Sequence, residues 1–395
     1  MTAHPAPLPD SDLRACLEGS GRMLPAAAYT DPAVLAWEQA HLFEGAWVCL
    51  GRADDLAAPG ARRAFGVGGD GVLVVRGKDG VLRGFYNVCR HRGHELLPCG
   101  STATGGFIRC PYHAWVFDTA GDLFGVPPSH EADVPDKSQF SLVPVRLEEW
   151  NGFVFVNASG DAPPLGDYLG GLEAVVAEYD LGSLRVGETH EYELATNWKL
   201  IAENYHECFH CDTIHPELCV VSNPDSGEEL QGTGLWFAGS MWLREGVETM
   251  SLDGVSRGEP IPTVSQARSR DVIYLHVLPN LLISLHPDYV MTHRVEALAP
   301  DRTYVQCQWL FPAAALERAD FDPSYAADFW DLTNRQDWTA CESVQRGVAS
   351  RGFRAGPFSS STEYQVRSFV TTVARAYLAG GLPVPDSADD VVMST

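Results

Sequence analysis

The chain has 395 residues, a formal net charge of −24 and 45% hydrophobic residues. This length predicts two domains or one domain with a large insertion, and the acidic charge argues against nucleic acid or an anionic membrane as a partner, because both need a basic face. No apolar run could span a membrane and the first 25 residues do not resemble a signal peptide, so we expect a cytoplasmic protein.

The first half of the chain changes from helix to strand. Residues 27–45 have the amphipathic pattern of a helix. From residue 47 to residue 157, short apolar runs separated by Gly and Asp predict a small antiparallel β domain. Within it, GVGGDG (66–71) is followed by a second strand and not by a helix, which predicts a hairpin turn and not a nucleotide-binding loop.

The second half predicts mixed helix and strand. Residues 192–211 read as a strand that runs into a helix, and residues 322–348 read as a long helix. Residues 271–300 and 303–312 have the composition of a sheet. The polar stretch 251–271 contains Gly and Pro without periodicity, which predicts a mobile loop.

Two loops of the β domain combine sulfur and imidazole ligands. Cys89 and His91 lie in one loop, and Cys110 and His113 lie in the other. A zinc finger usually takes two cysteines from one loop and two histidines from another, whereas a Rieske [2Fe–2S] cluster binds two thiolates on one iron and two imidazoles on the other. The alternation therefore favours a Rieske cluster over structural zinc. We expect the remaining cysteines of the ten to be buried thiols and not a disulfide framework.

A second set of ligands follows in residues 197–216. Asn204, Glu207 and His210 recur every three residues, which places them on one face of the predicted helix. His215 is too far round to share that face, and Pro216 indicates that the chain leaves the helix there. Two imidazoles at a helix end can converge on one ion, and an oxygen-activating ferrous site needs two histidines and one carboxylate.

The carboxylate must come from another part of the chain. The long predicted helix contains three candidates, Asp331, Asp337 and Glu342. A buried carboxylate on an apolar helix face is costly without a partner, so a metal ion is a reasonable partner for one of them. Sequence spacing alone leaves the choice among the three open.

The segments HRGH (91–94) and YHAW (112–115) resemble the Rieske domain of the non-haem iron oxygenases. FWDLTNRQDW, YTDPAVLAWEQ and ENYHECFHC resemble the glycine-betaine monooxygenase type, with stachydrine and carnitine oxygenases as near relatives. The resemblance implies an α+β fold: a small antiparallel Rieske [2Fe–2S] domain over residues 44–158, and a helix-grip-like catalytic domain over residues 1–43 and 159–395. In the catalytic domain, helices cover an antiparallel sheet.

The resemblance also implies roles for individual residues. Asp337 is the expected third ligand of a mononuclear Fe(II) held by His210 and His215. Glu207 is expected to link this iron to the cluster of the neighbouring subunit in a homotrimer, and Asn204 is expected to assist catalysis. The cofactors implied are the cluster, Fe(II) and O2, with electrons from NAD(P)H through a separate flavin and iron–sulfur reductase.

The implied reaction is hydroxylation of a small substrate. Oxidative N-demethylation of a quaternary ammonium compound such as a betaine is the preferred hypothesis, and aromatic ring hydroxylation is the alternative. An aromatic enclosure suits a methylammonium group, and the candidate substrate residues are Tyr205, Phe209, Phe237, Trp242 and Tyr289. An electron-transfer protein without catalysis and a zinc-stabilised interaction protein are the hypotheses from other functional classes.

Overall fold

The computed structural model describes residues 5–19, 21–230 and 232–382. Contacts divide the chain into two compact units, Gln39–Ala162 and the combination of Met1–Glu38 with Pro163–Thr395. Residues 1–4 and 383–395 of the predicted catalytic domain lie outside the described part. Among the helices of the described ranges, none is long and apolar enough to cross a bilayer.

The unit Gln39–Ala162 is built on antiparallel strands. They are β1 Val48–Arg52, β2 Ala61–Val67, β3 Asp70–Arg76, β4 Leu82–Tyr86, β5 Thr102–Thr104, β6 Phe107–Arg109, β7 Val116–Asp118, β8 Leu123–Gly125, β9 Pro144–Trp150 and β10 Phe153–Asn157. Seven strands form one sheet in the order β1-β10-β9-β4-β3-β2-β5, and β6-β7-β8 form a second sheet. A π-helical turn, Gln39–Phe43, and short 3-10 turns at Ala53–Leu56, Pro128–Asp133 and Lys137–Phe140 complete the unit.

The glycine-rich segment 66–71 is a hairpin turn between β2 and β3, which confirms the sequence prediction. Gly68 at the tip has φ +59°, a conformation that residues with a Cβ rarely adopt. A Cβ there would also lie 2.5 Å from the backbone oxygen of Gln39. The glycine is therefore required by the turn and not by a nucleotide.

The other unit places helices around a second antiparallel sheet. Its strands are β11 Arg185–Leu194, β12 Ser222–Asn223, β13 Glu229–Leu230, β14 Trp236–Leu243, β15 Asp271–Val277, β16 Leu281–Leu285, β17 Val290–Ala299 and β18 Arg302–Phe311. They follow the order β11-β18-β17-β16-β15-β14-β12, and β13 pairs with β14. The sheet core is apolar, since β16 is buried along its whole length. The antiparallel sheet and its helices agree with the predicted α+β class.

The helices of this unit carry the residues that matter for chemistry. They are α1 Asp10–Leu17, α2 Ala26–Thr30, α3 Pro32–Glu38, α4 Leu165–Leu169, α5 Leu172–Val176, α6 Trp198–Tyr205, α7 Cys211–Ile214, α8 Pro216–Val221, α9 Ala313–Leu316, α10 Ser324–Val348 and α11 Tyr364–Ala379, with 3-10 turns at Ala177–Tyr179 and Gln266–Arg268. The long helix α10 confirms the prediction for residues 322–348. Helix α11 was not anticipated.

The helix predicted through His210 is interrupted, so the expectation that Asn204, Glu207 and His210 share one helical face is wrong. Helix α6 ends at Tyr205, and the chain from residue 206 to residue 210 forms turns before the single helical turn of α7. Asn197 begins α6 as its cap, because its side chain accepts a hydrogen bond from the Lys199 N–H at 3.1 Å. The amphipathic pattern continues beyond Tyr205, but tertiary contacts override it.

The stretch predicted as a mobile loop, residues 251–271, is irregular apart from the 3-10 turn at Gln266–Arg268 and the start of β15 at Asp271. One of its side chains, Ser256, donates a hydrogen bond to the buried carboxylate of Asp288. The same carboxylate accepts hydrogen bonds from two residues outside the stretch, Thr249 at 2.6 Å and Tyr325 at 2.7 Å. The loop therefore has a fixed attachment point next to β17.

A fully buried ion pair joins the N-terminal helix α3 to helix α6. Lys199 Nζ lies 2.6 Å from Glu38 Oε1, and both side chains are shielded from solvent. Trp198 Nε1 donates to the other oxygen of Glu38 at 2.9 Å, and the Tyr377 hydroxyl of α11 also donates to Glu38. Burial lowers the pKa of Lys199, and the neighbouring Glu38 carboxylate opposes that shift. Helices α3, α6 and α11 are thus held together by one carboxylate.

Removing one partner of this buried pair should destabilise the protein strongly. Lys199→Met leaves Glu38 as an unpaired buried charge, so we expect a loss of about 3–5 kcal/mol in the free energy of unfolding. Adding Glu38→Gln to Lys199→Met should recover much of that loss. Urea denaturation of both variants measures this, with Arg83→Met, which breaks an exposed pair with Asp79, as the control. A Lys199→Met single variant as stable as the wild type would contradict the assignment.

Candidate metal centres and the adjoining cavity

The two cysteines of the first candidate centre lie in the core of the unit Gln39–Ala162. Cys89 and Cys110 are each 2% exposed and pack with Trp115 and Phe117. Each begins a tight loop: the Cys89 N–H donates to the His94 carbonyl at 2.8 Å, and the Cys110 N–H donates to the Trp115 carbonyl at the same distance. The loops therefore point both sulfurs inward.

The histidines of these loops carry the imidazole ligand atoms. The ring centroids of His91 and His113 are 4.6 Å apart, and both rings are half-buried. The Nδ1 atom of each ring is buried and has no hydrogen-bond partner among the described residues. A buried ring nitrogen without a partner is costly, and a metal ion removes that cost.

The donor set fits a Rieske cluster. Burial raises the pKa of the Cys89 thiol to about 11, and the adjacent Cys110 thiol adds to this effect, so an apo site would hold thiols. A bound cluster would convert both cysteines to thiolates on one iron and take the two Nδ1 atoms on the other iron. The imidazoles lie nearer the surface than the sulfurs, so the imidazole side of a bound cluster would face outward.

The second candidate centre joins residues far apart in sequence. Asp337 Oδ1 lies 2.9 Å from His215 Nε2 and 3.3 Å from His210 Nε2. His210 precedes the single turn of helix α7 and His215 follows it, so the turn brings both rings to one side. Asp337 lies on α10, and Asn204 Nδ2 donates to its Oδ1 at 3.1 Å. Two imidazoles and a carboxylate therefore converge as a 2-His-1-carboxylate ferrous site requires.

Each imidazole of this centre is oriented by a bond at its other nitrogen. His210 Nδ1 donates to Glu207 Oε1 at 2.6 Å, and Glu207 Oε2 also accepts from the His210 N–H at 3.1 Å. His215 Nδ1 donates to Gln336 Oε1 at 2.7 Å, and Gln336 Nε2 donates to Glu217 Oε2 at 3.1 Å. Both Nε2 atoms are therefore left for a metal, which is the arrangement that metal-binding histidines typically show.

The electrostatics of the second centre favour a cation. Burial alone would lower the pKa of His210, but its bonds to Asp337 and Glu207 outweigh burial and raise the pKa to about 10. Burial alone would raise the pKa of Asp337, but bonds to His210 and His215 lower it. Both shifts arise because a carboxylate packs directly against two imidazoles, and this donor set fits ferrous iron.

The other carboxylates of helix α10 have different partners. Asp331 accepts hydrogen bonds from Tyr192 at 2.6 Å and from Arg335 at 2.7 Å. Glu342 accepts a bond from the Ala195 N–H at 3.0 Å. Among the three candidates on this helix, the structure brings only Asp337 to the two histidines.

A cavity of about 680 Å³ opens on the second centre. Among the aromatic residues proposed as substrate contacts, Tyr205 and Phe209 line it. Phe237, Trp242 and Tyr289 do not line it, which corrects the sequence-based grouping. Phe237 packs against His206, Trp242 is 45% exposed, and the Tyr289 hydroxyl donates to the Met250 carbonyl at 2.7 Å. Phe237 and Trp242 point to opposite sides of β14, and Tyr289 lies outside the strands, so aromatic composition alone could not show which rings reach the cavity.

Sequence reasoning missed several residues of the cavity wall. Tyr274 of β15, His293 of β17, and Trp330 and Trp338 of α10 line the cavity. Gln336, which orients His215, was also missed. In the sequence, only its position next to Asp337 indicated a role at this centre. His206 is buried and contacts His276 Nδ1 at 2.9 Å, so it is an interior residue of the wall.

Two metal centres of these types, one sulfur- and imidazole-based and one 2-His-1-carboxylate, define a Rieske-type protein with a separate mononuclear iron site. Comparison with known families agrees. Residues 46–144 match the Rieske [2Fe-2S] domain, and residues 181–379 match the ring hydroxylating alpha subunit (catalytic domain).

Relatives and solved structures cover almost the whole chain. The glycine betaine monooxygenase oxygenase subunit of Chromohalobacter salexigens is 30% identical over 88% of this chain and 84% of its own length. The carnitine monooxygenase oxygenase subunit of Escherichia coli K12 is 31% identical over 84% of this chain and 85% of its own length. The quaternary ammonium Rieske monooxygenase CntA superposes with a TM-score of 0.78 at 26% identity, covering 95% of this chain and 100% of CntA. Naphthalene 1,2-dioxygenase from Rhodococcus sp., at 22% identity and a TM-score of 0.74, shares the fold over 93% of this chain and 97% of its own.

The chain therefore belongs to the Rieske non-haem iron oxygenases as a catalytic (alpha) subunit. It is an oxygenase component of the monooxygenase type, which confirms the prediction of an enzyme and excludes the zinc-stabilised interaction protein and the electron-transfer protein without catalysis. The cofactors of this family are a Rieske [2Fe–2S] cluster and mononuclear iron, used with O2. An oxygenase subunit receives its electrons from a separate reductase and acts on a small molecule.

Replacing the carboxylate of the second centre should remove its iron selectively. We expect Asp337→Ala to lose the mononuclear iron and turnover, while the absorbance and the reduced EPR signal of the cluster persist, because the cluster ligands lie in the other unit. Iron content per chain measures this directly. Asp331→Ala removes a carboxylate from the same helix and is the matched control. Full iron retention in Asp337→Ala, or iron loss in Asp331→Ala, would show that the third ligand has been misassigned.

Proposed function

We propose that this oxygenase removes an N-methyl group oxidatively from a quaternary ammonium compound such as a betaine. The observation that carries the proposal is the charge and composition of the cavity on the second centre. Its lining includes the carboxylates of Glu207, Asp212, Asp225 and Asp337, and no Lys or Arg is among the described residues that line it. A negative enclosure of this kind favours a cation over a neutral arene.

The aromatic wall supports the same substrate class. Tyr205 and Tyr274 have ring centroids 5.9 Å apart, and Tyr274 and Trp330 have centroids 6.4 Å apart, so these rings form a continuous surface. A methylammonium group over such a surface gains about 0.5–2 kcal/mol per well-placed ring. The Tyr205 hydroxyl donates to the Ile283 carbonyl at 2.9 Å, which fixes that ring against β16. An arene would use the rings without benefiting from the carboxylates.

The chain's own residues hold the reacting groups in place. Glu207 and Gln336 fix the orientation of His210 and His215, and Asn204 fixes the Asp337 carboxylate through its amide. Ferrous iron held by these ligands would supply O2 activation when bound. Hydroxylation of an N-methyl C–H bond gives a hydroxymethyl ammonium, which collapses to formaldehyde and the demethylated amine. The acidic and aromatic lining beside the ligand set supports this placement of the methyl group.

We also propose that electrons cross between subunits of a homotrimer. The relative CntA is described in terms of inter-subunit electron transfer. In this chain, the cluster imidazoles are half-buried, and Glu207 is half-buried beside His210. A carboxylate bonded to an iron ligand on one side can accept a bond from a cluster imidazole of a neighbouring subunit on the other side. The reductase that supplies the electrons is proposed to carry a flavin and an iron–sulfur centre and to use NAD(P)H.

Glu207→Gln tests the bridging role. The amide cannot replace both carboxylate bonds to His210, so we expect both metals to remain but the cluster to be oxidised about 10–100-fold more slowly by O2 in the presence of substrate. Stopped-flow absorbance of the pre-reduced protein measures this rate. Glu245→Gln, which removes an exposed carboxylate that does not line the cavity, should leave the rate unchanged. Equal single-turnover rates for Glu207→Gln and wild type would refute the bridge.

The reaction class is tested by turnover with a surrogate reductase. Glycine betaine, stachydrine, carnitine and choline are compared with benzoate, and formaldehyde, NADH and peroxide are measured together. We expect formaldehyde to form in step with NADH for at least one ammonium compound. The isostere 3,3-dimethylbutanoate, in which an uncharged tert-butyl group replaces the trimethylammonium group, should bind at least about tenfold more weakly than glycine betaine, since it loses the cation–π contacts. Hydroxylation of benzoate without formaldehyde from any ammonium compound would instead support the aromatic alternative.

A further inference from the structure

Two cysteines in the second ligand segment form a disulfide, which differs from the expectation that the cysteines outside the cluster are free thiols. The sulfur atoms of Cys208 and Cys211 are bonded to each other. Cys208 follows Glu207, and Cys211 follows His210, so the bond encloses the residue that carries the first imidazole. The other eight cysteines form no disulfide among the described residues.

The disulfide lies where the backbone has little other support. Helix α6 has ended at Tyr205, and α7 contributes only one turn. Between these two helices, the turn is closed by the bond from the Cys211 N–H to the Cys208 carbonyl at 3.1 Å and by the contacts of Glu207 with His210. The covalent link therefore forms part of the frame that positions His210.

The sulfur of Cys211 also lies within reach of the metal ligands. The ligand atoms of His210, Cys211 and His215 all lie within 4.8 Å of one another. In the disulfide, this sulfur is a poor ligand, whereas the thiolate produced by reduction is a strong soft ligand. The carboxylate of Asp337 and the sulfur of Cys211 thus offer two different third ligands to the same imidazole pair.

We propose that Cys208 and Cys211 form a redox switch that determines which metal the second centre accepts. The disulfide form leaves His210, His215 and Asp337 for ferrous iron. The dithiol form offers the Cys211 thiolate, and the imidazole pair then takes a softer divalent ion such as Zn²⁺ in place of iron. An oxidising environment therefore keeps the site available to iron, and a reducing environment blocks iron binding.

The chemistry of the switch balances with simple reagents. An external dithiol reduces the disulfide to two thiols and is itself oxidised to a disulfide. Metal binding then displaces the proton of the Cys211 thiol into solvent. In the other direction, one molecule of hydrogen peroxide oxidises the two thiols to the disulfide and yields two molecules of water.

The thiol state is tested first on the purified oxygenase with its cluster in place. Alkylation with iodoacetamide after anaerobic denaturation, followed by peptide mass spectrometry, should leave Cys208 and Cys211 unmodified until dithiothreitol is added. Cys219, a free cysteine eight residues from Cys211, should be alkylated without reductant and is the internal control. Alkylation of Cys208 and Cys211 without reductant would overturn the proposal.

The metal choice is tested with Co²⁺ after a chelator has removed the mononuclear iron. We expect no thiolate-to-cobalt charge-transfer band in the difference spectrum of the disulfide form, and we expect the band to appear after reduction and anaerobic desalting. Cys208→Ser should show the band without reductant, Cys211→Ser should never show it, and Cys219→Ser should behave as wild type. The cluster spectrum confirms that each variant is folded. Absence of the band in reduced wild type, or its persistence in Cys211→Ser, would refute the switch.

Discussion

The catalytic half of this protein depends on one convergence, in which Asp337 Oδ1 lies 2.9 Å from His215 Nε2 and 3.3 Å from His210 Nε2. A carboxylate buried on helix α10 has a high desolvation cost unless cationic or metallic partners offset it. Helix α6 ends at Tyr205, and the single turn of α7 follows. His210 and His215, on either side of this turn, lie against the carboxylate. The buried Glu38–Lys199 pair then holds the helices from which this segment departs.

The unit that carries the cluster ligands has a different requirement, because the two irons need unlike ligands a short distance apart. One sulfur and one imidazole from each loop achieve this, because Cys89 and Cys110 lie in the apolar core and the rings of His91 and His113 lie nearer the surface. The position of the imidazoles gives the cluster an outward-facing side. The cluster imidazoles are the polar groups at one end of the proposed electron transfer. Glu207, bonded to His210, is the polar group at the other end.

Much of the chemistry was predictable from the sequence because ligand identity and spacing are local properties. The cluster ligands, the histidine pair and the choice of Asp337 needed only short motifs and their resemblance to a family. The prediction of a continuous helix through His210 was wrong, because residue spacing does not show where a helix ends, and α6 ends at Tyr205. Phe237, Trp242 and Tyr289 were proposed as substrate contacts because aromatic composition does not show which rings reach the cavity. The role of Gln336 and the Cys208–Cys211 bond could not be recognised without the three-dimensional structure, because both depend on which residues lie close together in the fold.

One chain is expected to hold a two-iron cluster and a separate ferrous centre with unlike ligands. The Mössbauer spectrum of the reduced protein, grown on ⁵⁷Fe, distinguishes all three irons. We expect three components of equal area: a thiolate-bound ferric iron and an imidazole-bound ferrous iron from the cluster, and a high-spin ferrous iron with nitrogen and oxygen ligands. A spectrum without the cluster pair, or fully iron-loaded protein without the third component, would contradict it.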